Sequence, residues 1–460
     1  MLLNLWGSEM LKRQFAGVLI LVALQAAAED WTASIKTVHE GLVFGAPPIP
    51  GQFSYEVGGF YEVLSVPGNP AFRKIGYGPT GREYETFAYL TNGYLTVDLA
   101  GSSDIIAWVV PHSGPPDGGA YPARLYVEKQ GEDQFFTEAG SLADYALTKA
   151  YIGRVSLSVD GSVVSLPTTV CGNDCFGQVE AWKLNEAGQY QKVVSHRSSD
   201  GPSRMGLAAS SSANRVVTIG ASRTVLNEAG EEIIQTTVLI YNIVIDNILT
   251  DASEEITLSV AQFGTPRPSI DINQDGSKIA LVMEPSDDYP SAPASEGGVV
   301  VFSKAEPCVL QCGWTQKGQI IDPAPSLTDF AYRYQTWQTL LSQDGDTVAV
   351  LTMTDCFSED EGAPEGVIQP CHSGLITVWD FNNAINRWEE RQGEGFPIAV
   401  PAPDPSQEHR ARLSGFDANR GVLGVSVEDN REEDFYLMKV TMEKSTNTGL
   451  PIWLLYEASQ

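Results

Sequence analysis

Six cysteines, five histidines and one run of closely spaced oxygen donors are the residues from which this 460-residue chain could build a chemical site. In Asp271-Ile-Asn273-Gln-Asp275-Gly276 the side-chain oxygens fall at positions one, three and five with glycine at six, which is how a loop begins to wrap calcium. The bidentate acid that completes such a loop is missing, since position twelve is Val282 and position nine is Ile279. Asp271, Asn273 and Asp275 are therefore calcium candidates set against a purely structural turn. Calcium is the one cofactor the sequence raises, and nothing else in it requires a cofactor.

The cysteines fall into local pairs, Cys171 with Cys175, Cys308 with Cys312 and Cys356 with Cys371. Zinc favours Cys-x2-Cys knuckles or paired histidines, whereas these spacers are three, three and fourteen residues, so disulfides stapling loops are the expected reading. Nucleophilic catalysis would need a histidine beside Ser or Cys. His39, His112, His196, His372 and His409 lie in no recognisable motif; His112 sits in a Pro- and Gly-rich loop and His372 next to a cysteine. The acidic runs Ser358-Glu-Asp-Glu-Gly362 and Glu428-Asp-Asn-Arg-Glu-Glu-Asp434 read as solvated loops. A carboxylate pair assembled from distant segments, as glycoside cleavage needs, would leave no linear signature.

The elements that would position these residues come from an exported chain. Lys12 and Arg13, the apolar run Phe15 to Leu24 and the small residues before Glu29 form a secretory signal with cleavage expected after Ala28. The run is about half the roughly 20 residues a membrane span needs, so no insertion is expected once the signal is removed. Met10 would give a more compact signal if translation began there. The formal charge is -29, and residues 1–28 carry Glu9, Lys12 and Arg13, so the mature chain stands near -30. Such a negative field disfavours nucleic acid and anionic membranes. No phosphate-binding glycine loop or dinucleotide fingerprint occurs, and the mature chain has no Asn-x-Ser/Thr sequon. Periplasm, organelle lumen and extracellular space all fit.

Hydrophobic residues make up 43% of the chain and charged ones 19%, with 43 Gly and 27 Pro, the balance of a turn-rich folded protein. A repeat organises it: an alternating apolar strand, a tight polar turn and a second strand. It is clearest at Val155 to Leu166, Ser269 to Val282 and Thr339 to Leu351, each carrying Asp-Gly between strands, where a two-residue hairpin turn with positive φ angles is expected. Degenerate copies run from Tyr94 to Val110, Met205 to Ile219 and Leu413 to Val427. After most copies comes a strand ending in an aromatic, as in Gly177 to Trp182, Gly297 to Phe302 and Gly374 to Trp379, with a further aromatic about ten residues on. One unit thus holds four strands. Turn centres near 102, 160, 214, 275, 344 and 419 recur every 54 to 75 residues. Four-stranded sheets at that period predict an all-β chain, a β-propeller of antiparallel blades. Residues 91–457 supply six units and 29–90 an irregular part or extra blade; seven blades are favoured, with six the alternative. The last unit looks complete through Ile452 to Tyr456, so closure is expected from packing of first and last blades.

The composite Ser-x-Asp-Gly-x-x-Val-Ala, then Gly-Gly-Val-Val-Val-Phe and Trp314-Thr-Gln-Lys-Gly-Gln-Ile-Ile321, resembles the FG-GAP-type and WD-repeat-like propellers of exported proteins over about residues 90–457. The resemblance implies a fold and a recognition role, and no chemistry. Calcium hairpins of FG-GAP proteins need several carboxylates in one loop, and most turns here have one. The expected function is a non-catalytic binding scaffold for a protein or glycan. The inserted loops at 111–120, 284–296 and 355–373 are the expected contact sites, with Asp287, Asp288 and Tyr289 foremost. The alternative is a hydrolase or lyase using carboxylates, with or without calcium, at the central mouth.

Overall fold

A computed structural model describes residues 30–42, 60–64, 71–77, 83–89, 96–99, 105–111, 121–130, 136–147, 150–152, 155–171, 175–198, 208–227, 229–230, 232–245, 247–284, 298–304, 313–323, 334–354, 372–402, 409–419, 421–429 and 434–444. The expected signal at 1–28 lies outside them. No helix of the described residues is long and apolar enough to cross a membrane.

These residues form seven antiparallel sheets in chain order. The first has three strands, Phe60–Leu64, Ala71–Tyr77 and Glu83–Tyr89. The second holds Thr96–Leu99, Ile105–Pro111, Tyr121–Gln130 and Phe136–Leu147. Ser156–Leu157, Val163–Cys171, Cys175–Leu184 and Tyr190–Arg197 make the third. The fourth is Ala209–Ser211, Arg215–Leu226, Glu232–Asn242 and Glu254–Ser259. The fifth is Thr265–Ile272, Lys278–Glu284, Gly298–Lys304 and Trp314–Gln316. Tyr334–Leu341, Thr347–Thr354, His372–Asn382 and Arg387–Glu390 form the sixth. The seventh runs His409–Asp417, Val422–Asp429 and Asp434–Lys444, and its fourth strand is Asp30–Leu42 from the other end of the chain.

Alternation along the middle strands explains why they read as unbroken apolar runs. In Val348-Ala-Val-Leu351 every residue is buried. Val348 and Val350 join Ala280, Val282, Val299 and Val301 in the core between the fifth and sixth sheets. Ala349 and Leu351 point the other way, to Ala411, Leu413 and Val425 between the sixth and seventh. Ile279 and Leu281 likewise pack on the fourth sheet. Further cores join the second sheet to the third and the third to the fourth. A sheet buried on both faces by its neighbours, with period two dividing its side chains between two cores, is the blade of a radial stack. The chain is a β-propeller of four-stranded antiparallel blades.

The Asp-Gly turns differ from the two-residue form expected. Strand register ends at Leu157 opposite Val164, Ser158 N and Val163 O close the loop, and four residues lie between. Only the glycines take positive φ, 69° at Gly161, 75° at Gly276 and 67° at Gly345. The aspartate caps instead: Asp160 Oδ1 accepts from the Ser162 amide (3.0 Å) and the Ser158 hydroxyl (2.6 Å), and Ser158 Oγ accepts from the Val163 amide (2.9 Å). Ser342, Asp344, Asp346 and Thr347 repeat this arrangement. The side-chain oxygen supplies the bond that a primed turn would have made with backbone alone.

Closure is the second correction. The seventh sheet is completed by Asp30–Leu42, in antiparallel register from Trp31 opposite Lys444 to Leu42 opposite Asp434. Its far edge is covered in parallel by Gln392–Glu394, which lies between Arg387–Glu390 and Ile398–Pro401, both paired with His372–Asn382 of the sixth sheet. Gly393, at φ 136°, lies so close to the Trp31 backbone that a Cβ there would overlap the Trp31 carbonyl. The Arg391 guanidinium stacks 3.8 Å from the Trp31 ring centroid and its Nε donates to Asp380 at 2.7 Å. A strand from the chain's start protects the last edge, a role that packing of complete sheets would leave unfilled. Residues 452–456 lie outside the described set.

Candidate functional site

Antiparallel order sends every first-to-second and third-to-fourth connection to one end of the ring. The second-to-third and sheet-to-sheet connections leave from the other. From the third sheet to the sixth, the first end is tied across its seams. Lys183 Nζ donates to Ala213 O (3.0 Å), Arg215 Nη1 to Gly276 O (2.6 Å), and Lys278 Nζ to Asp344 O. Each cation leaves one sheet and satisfies a carbonyl in the turn of the next.

The expected calcium residues lie in this seam. Asp271 stands on the inner strand of the fifth sheet, where Oδ1 accepts from the Ser210 hydroxyl of the fourth (2.9 Å) and Oδ2 from the Leu341 amide of the sixth (2.8 Å). One carboxylate thus ties three sheets. Asn273 is buried and its Oδ1 accepts from the Lys278 amide, while Asp275 Oδ1 accepts from the Ser277 amide. The fold directs Asp271 toward neighbouring inner strands and the other two into their own turn. Among the described residues no group of three or more His, Cys, Asp or Glu is arranged to hold a metal. On the inner strand of the sixth sheet, Gln338 clasps Leu413 of the seventh through both its amide atoms, at 2.8 and 2.9 Å.

At the opposite end, the second strands of the second, fifth and sixth sheets finish at Pro111, Glu284 and Thr354, and the third begin at Tyr121, Gly298 and His372. The loops 111–120, 284–296 and 355–373 therefore all depart from one end. Asp287, Asp288 and Tyr289 lie outside the described residues, as do Cys308, Cys312, Cys356 and Cys371. Cys171 and Cys175 close the corresponding connection of the third sheet, where they are direct register partners. His39, His372 and His409 fall in the strands Asp30–Leu42, His372–Asn382 and His409–Asp417, and His112 lies outside the described residues; His196 is in Tyr190–Arg197, where its Nδ1 meets the Tyr241 hydroxyl at 2.7 Å. Burial pulls His196 below the usual histidine range, against the nearby Asp251 and Glu255, and pushes the Tyr241 phenol up. A neutral imidazole accepting from a neutral phenol fits both directions.

The structure also assembles a cluster that sequence reading missed. Lys317, 8% exposed, lies 4.1 Å from the Phe381 ring and 5.4 Å from the Trp388 ring, and its ammonium meets the Asp346 carboxylate, which Lys278 reaches at 3.0 Å. Trp388 Nε1 returns a bond to Lys317 O at 2.8 Å. The signal was present as Trp-x-x-cation: Trp314 to Lys317, and again Trp388 to Arg391, whose guanidinium stacks on Trp31. In each case the cation reaches an aromatic of the next sheet, so the repeated spacing is an interblade clamp.

Burial raises the Asp346 carboxyl, and the bonds from Lys317 and Lys278 more than offset this, holding it below the usual carboxylate range. A carboxylate depressed in the fold stabilises it above the unfolded value, here near 3.8, and that contribution is lost as the pH falls through the folded value. Burial, and with it the neighbouring Lys278 ammonium, pulls Lys317 below the usual lysine range, opposed by Asp346. Asp346→Asn is expected to lower the melting temperature at pH 7 and to flatten its decline between pH 5 and pH 3. Parallel melting curves of both proteins across that range check it; equal slopes would remove Asp346 from the acid response.

No protein-family model matches the sequence, and neither does any curated protein. Among solved structures the chain is similar to the β-propeller domain of the Trilobed protease from Pyrococcus furiosus, at 10% identity and a TM-score of 0.48, covering 89% of this chain and 100% of that one. It is similar to the uncharacterized protein lmo1340 from Listeria monocytogenes EGD-e, at 9% identity and a TM-score of 0.40, with 90% and 100% covered. Prolyl oligopeptidase B from Galerina marginata aligns at 12% identity and a TM-score of 0.37 over 85% of this chain and 47% of that one. The fold assignment rests on the sheet order, the shared cores and the closing strand described above.

Proposed function

We propose that the mature chain is an exported, non-catalytic propeller that captures a protein or glycan at the end from which its long connections leave. The observation that supports this is the asymmetry of the ring. One end is locked by capped turns and interblade cations, while the other carries insertions of ten or more residues rich in Pro, Gly, Asp and Tyr. A seven-bladed ring is part of the reading, with the sheet of 60–89 as first blade and the seventh closed by Asp30–Leu42. So is a disulfide between Cys171 and Cys175, since directly opposed residues of an antiparallel pair have Cα atoms about 4.5–5.5 Å apart, inside the range a disulfide spans. The reading requires no cofactor.

The test compares the mature chain, residues 29–460, with a variant in which 111–120, 284–296 and 355–373 are each replaced by a short turn. Both are screened on a glycan array and by cross-linking capture of proteins from the exported compartment, with calcium and with chelator. Loss of capture in the shortened variant, with melting temperature preserved, is expected. Equal capture by both would overturn the reading, and capture abolished by chelator would show a calcium requirement, with Asp271, Asn273 and Asp275 the first residues to substitute.

A further inference from the structure

The fourth sheet carries a two-stranded ribbon that outgrows its blade. Its second and third strands, Arg215–Leu226 and Glu232–Asn242, stay in register to Leu226 opposite Glu232. The flanking strands stop far short: Ala209–Ser211 pairs only with Val216 to Thr218, and Glu254–Ser259 reaches no further than Gln235. Beyond the irregularity between Ile219 and Ser222, the ribbon of residues 222–226 and 232–234 thus has no paired strand on either edge among the described residues. Being a second-to-third connection, it projects from the same end as the long loops.

Free edges are usually blunted by short length, a covering element or inward charge. This one keeps its length and shows aliphatic side chains. Leu226 is 68% exposed, the largest value among the exposed hydrophobics of the described residues, and Val225, Ile233 and Ile234 are half-buried and belong to none of the cores named above. Neither Gly nor Pro interrupts residues 221–226. Glu232 at its end is exposed, and the sequence joining the two strands adds Glu228 and Glu231, so the tip is acidic in composition. Two copies would bring those carboxylates together on chains of formal charge -29, which disfavours self-pairing.

We propose that this ribbon is a strand-addition site: an extended segment of a partner protein, alternating apolar residues with Lys or Arg, pairs with an open edge near Leu226. Main-chain hydrogen bonds would supply affinity, Leu226 and Val225 the apolar contacts, and the acidic tip the preference for basic residues. The proposal deepens the recognition reading above, and rests on the long-loop end being the binding end.

The probe is a displayed library of random 12-residue peptides, selected on the mature chain. A control chain has residues 223–235 replaced by Asn-Gly, which closes the hairpin at Ser222 and Thr236, whose hydroxyls are already hydrogen-bonded. Leu226→Glu is a milder variant with the ribbon intact. Selected peptides are expected to alternate apolar with basic residues and to slow amide exchange at 222–226. Affinity should fall at least about tenfold on Leu226→Glu or on N-methylation of alternate peptide amides, the signature of main-chain pairing. Peptides that bind the shortened chain equally well, or that tolerate N-methylation at every position, would overturn the proposal. So would a dimer in sedimentation that the Asn-Gly variant abolishes, which would assign the edge to a second copy. Partner capture that survives loss of the ribbon and vanishes with the shortened loops sinks the strand-addition site alone; capture that survives both sinks the recognition end with it.

Discussion

Replacing Trp388 by alanine will lower the unfolding free energy by about 3–5 kcal/mol, the range for emptying a large aromatic site in a packed core. Trp388 is 1% exposed and heads the largest fully buried side chains. It fills the space among Ala280, Val282, Val299, Val301 and Val350 between the fifth and sixth sheets. Two further contacts depend on its ring: Nε1 donates to Lys317 O, and the ring packs tilted on Phe381 with centroids 5.0 Å apart. Removing the ring leaves a cavity, an orphaned carbonyl and a buried ammonium with one aromatic face fewer. Trp388→Phe keeps most of the volume and loses the indole bond, so a smaller cost of about 1–2 kcal/mol is expected. Equilibrium urea unfolding of the three proteins checks both. If alanine and phenylalanine cost the same, the indole bond carries the effect and the cavity little; if neither costs more than about 1 kcal/mol, the clamp between these sheets is not a major tie.

What the sequence revealed of this fold follows from which features are periodic. Val299 to Phe302 and Val348 to Leu351 announce strands buried on both sides, and Asp160-Gly161, Asp275-Gly276 and Asp344-Gly345 mark where they reverse. Repetition at 54 to 75 residues then gives stacked four-stranded sheets. The form of the turn was misjudged because Asp-Gly serves a two-residue loop through backbone torsion and a four-residue loop through a side-chain cap, and the flanking Ser158 and Ser342 that decide between them are ordinary residues in isolation. Closure was hidden for another reason. Pairing between Ile35 and Val440 joins positions about 400 residues apart, and no local pattern distinguishes a strand that completes the first sheet from one that completes the last.

The cross-sheet ties were partly legible. Trp314-x-x-Lys317 and Trp388-x-x-Arg391 share a spacing that could have been aligned, but the partners Asp346 and Trp31 come from other sheets. Asp271 shows the converse: its spacing with Asn273 and Asp275 suggests one loop, whereas the strand's alternation and the approach of Ser210 and Leu341 turn its carboxylate toward neighbouring blades. Linear spacing reports a ligand set only where the backbone curls all its members toward one point, and a strand running into a turn separates them.

A chain beginning at residue 43 should lose the closing strand, and a synthetic peptide of residues 29–42 should restore it in trans. Trp31, Ala33 and Ile35 are half-buried against the core shared by the sixth and seventh sheets. Their exposure costs about 3–5 kcal/mol by apolar area alone. The backbone edges of Asp434–Lys444 and Gln392–Glu394 are laid open at the same time, so the truncated chain should also associate more readily. Trp31 is the residue on which rescue should depend most. Its ring lies under the Arg391 guanidinium, and Lys444 approaches it at 6.0 Å. A peptide with Trp31→Ala should therefore bind about 10- to 100-fold more weakly than the native one, or 1.4 to 2.7 kcal/mol. Peptide titration of the truncated chain, followed by Trp fluorescence and by sedimentation, reads both affinity and association. Native stability in the truncated chain with no uptake of peptide would mean that another segment fills the edge, with Ile452 to Tyr456 the first to test by deletion. Uptake that ignores Trp31→Ala would leave the strand in place and remove the cation–aromatic clamp. The physical stake is where this ring commits to its native state. If the strand nearest the start of the chain must wait for Asp434–Lys444 at the far end, no partial length of the chain presents a closed ring, and the open edge persists until the last sheet has formed.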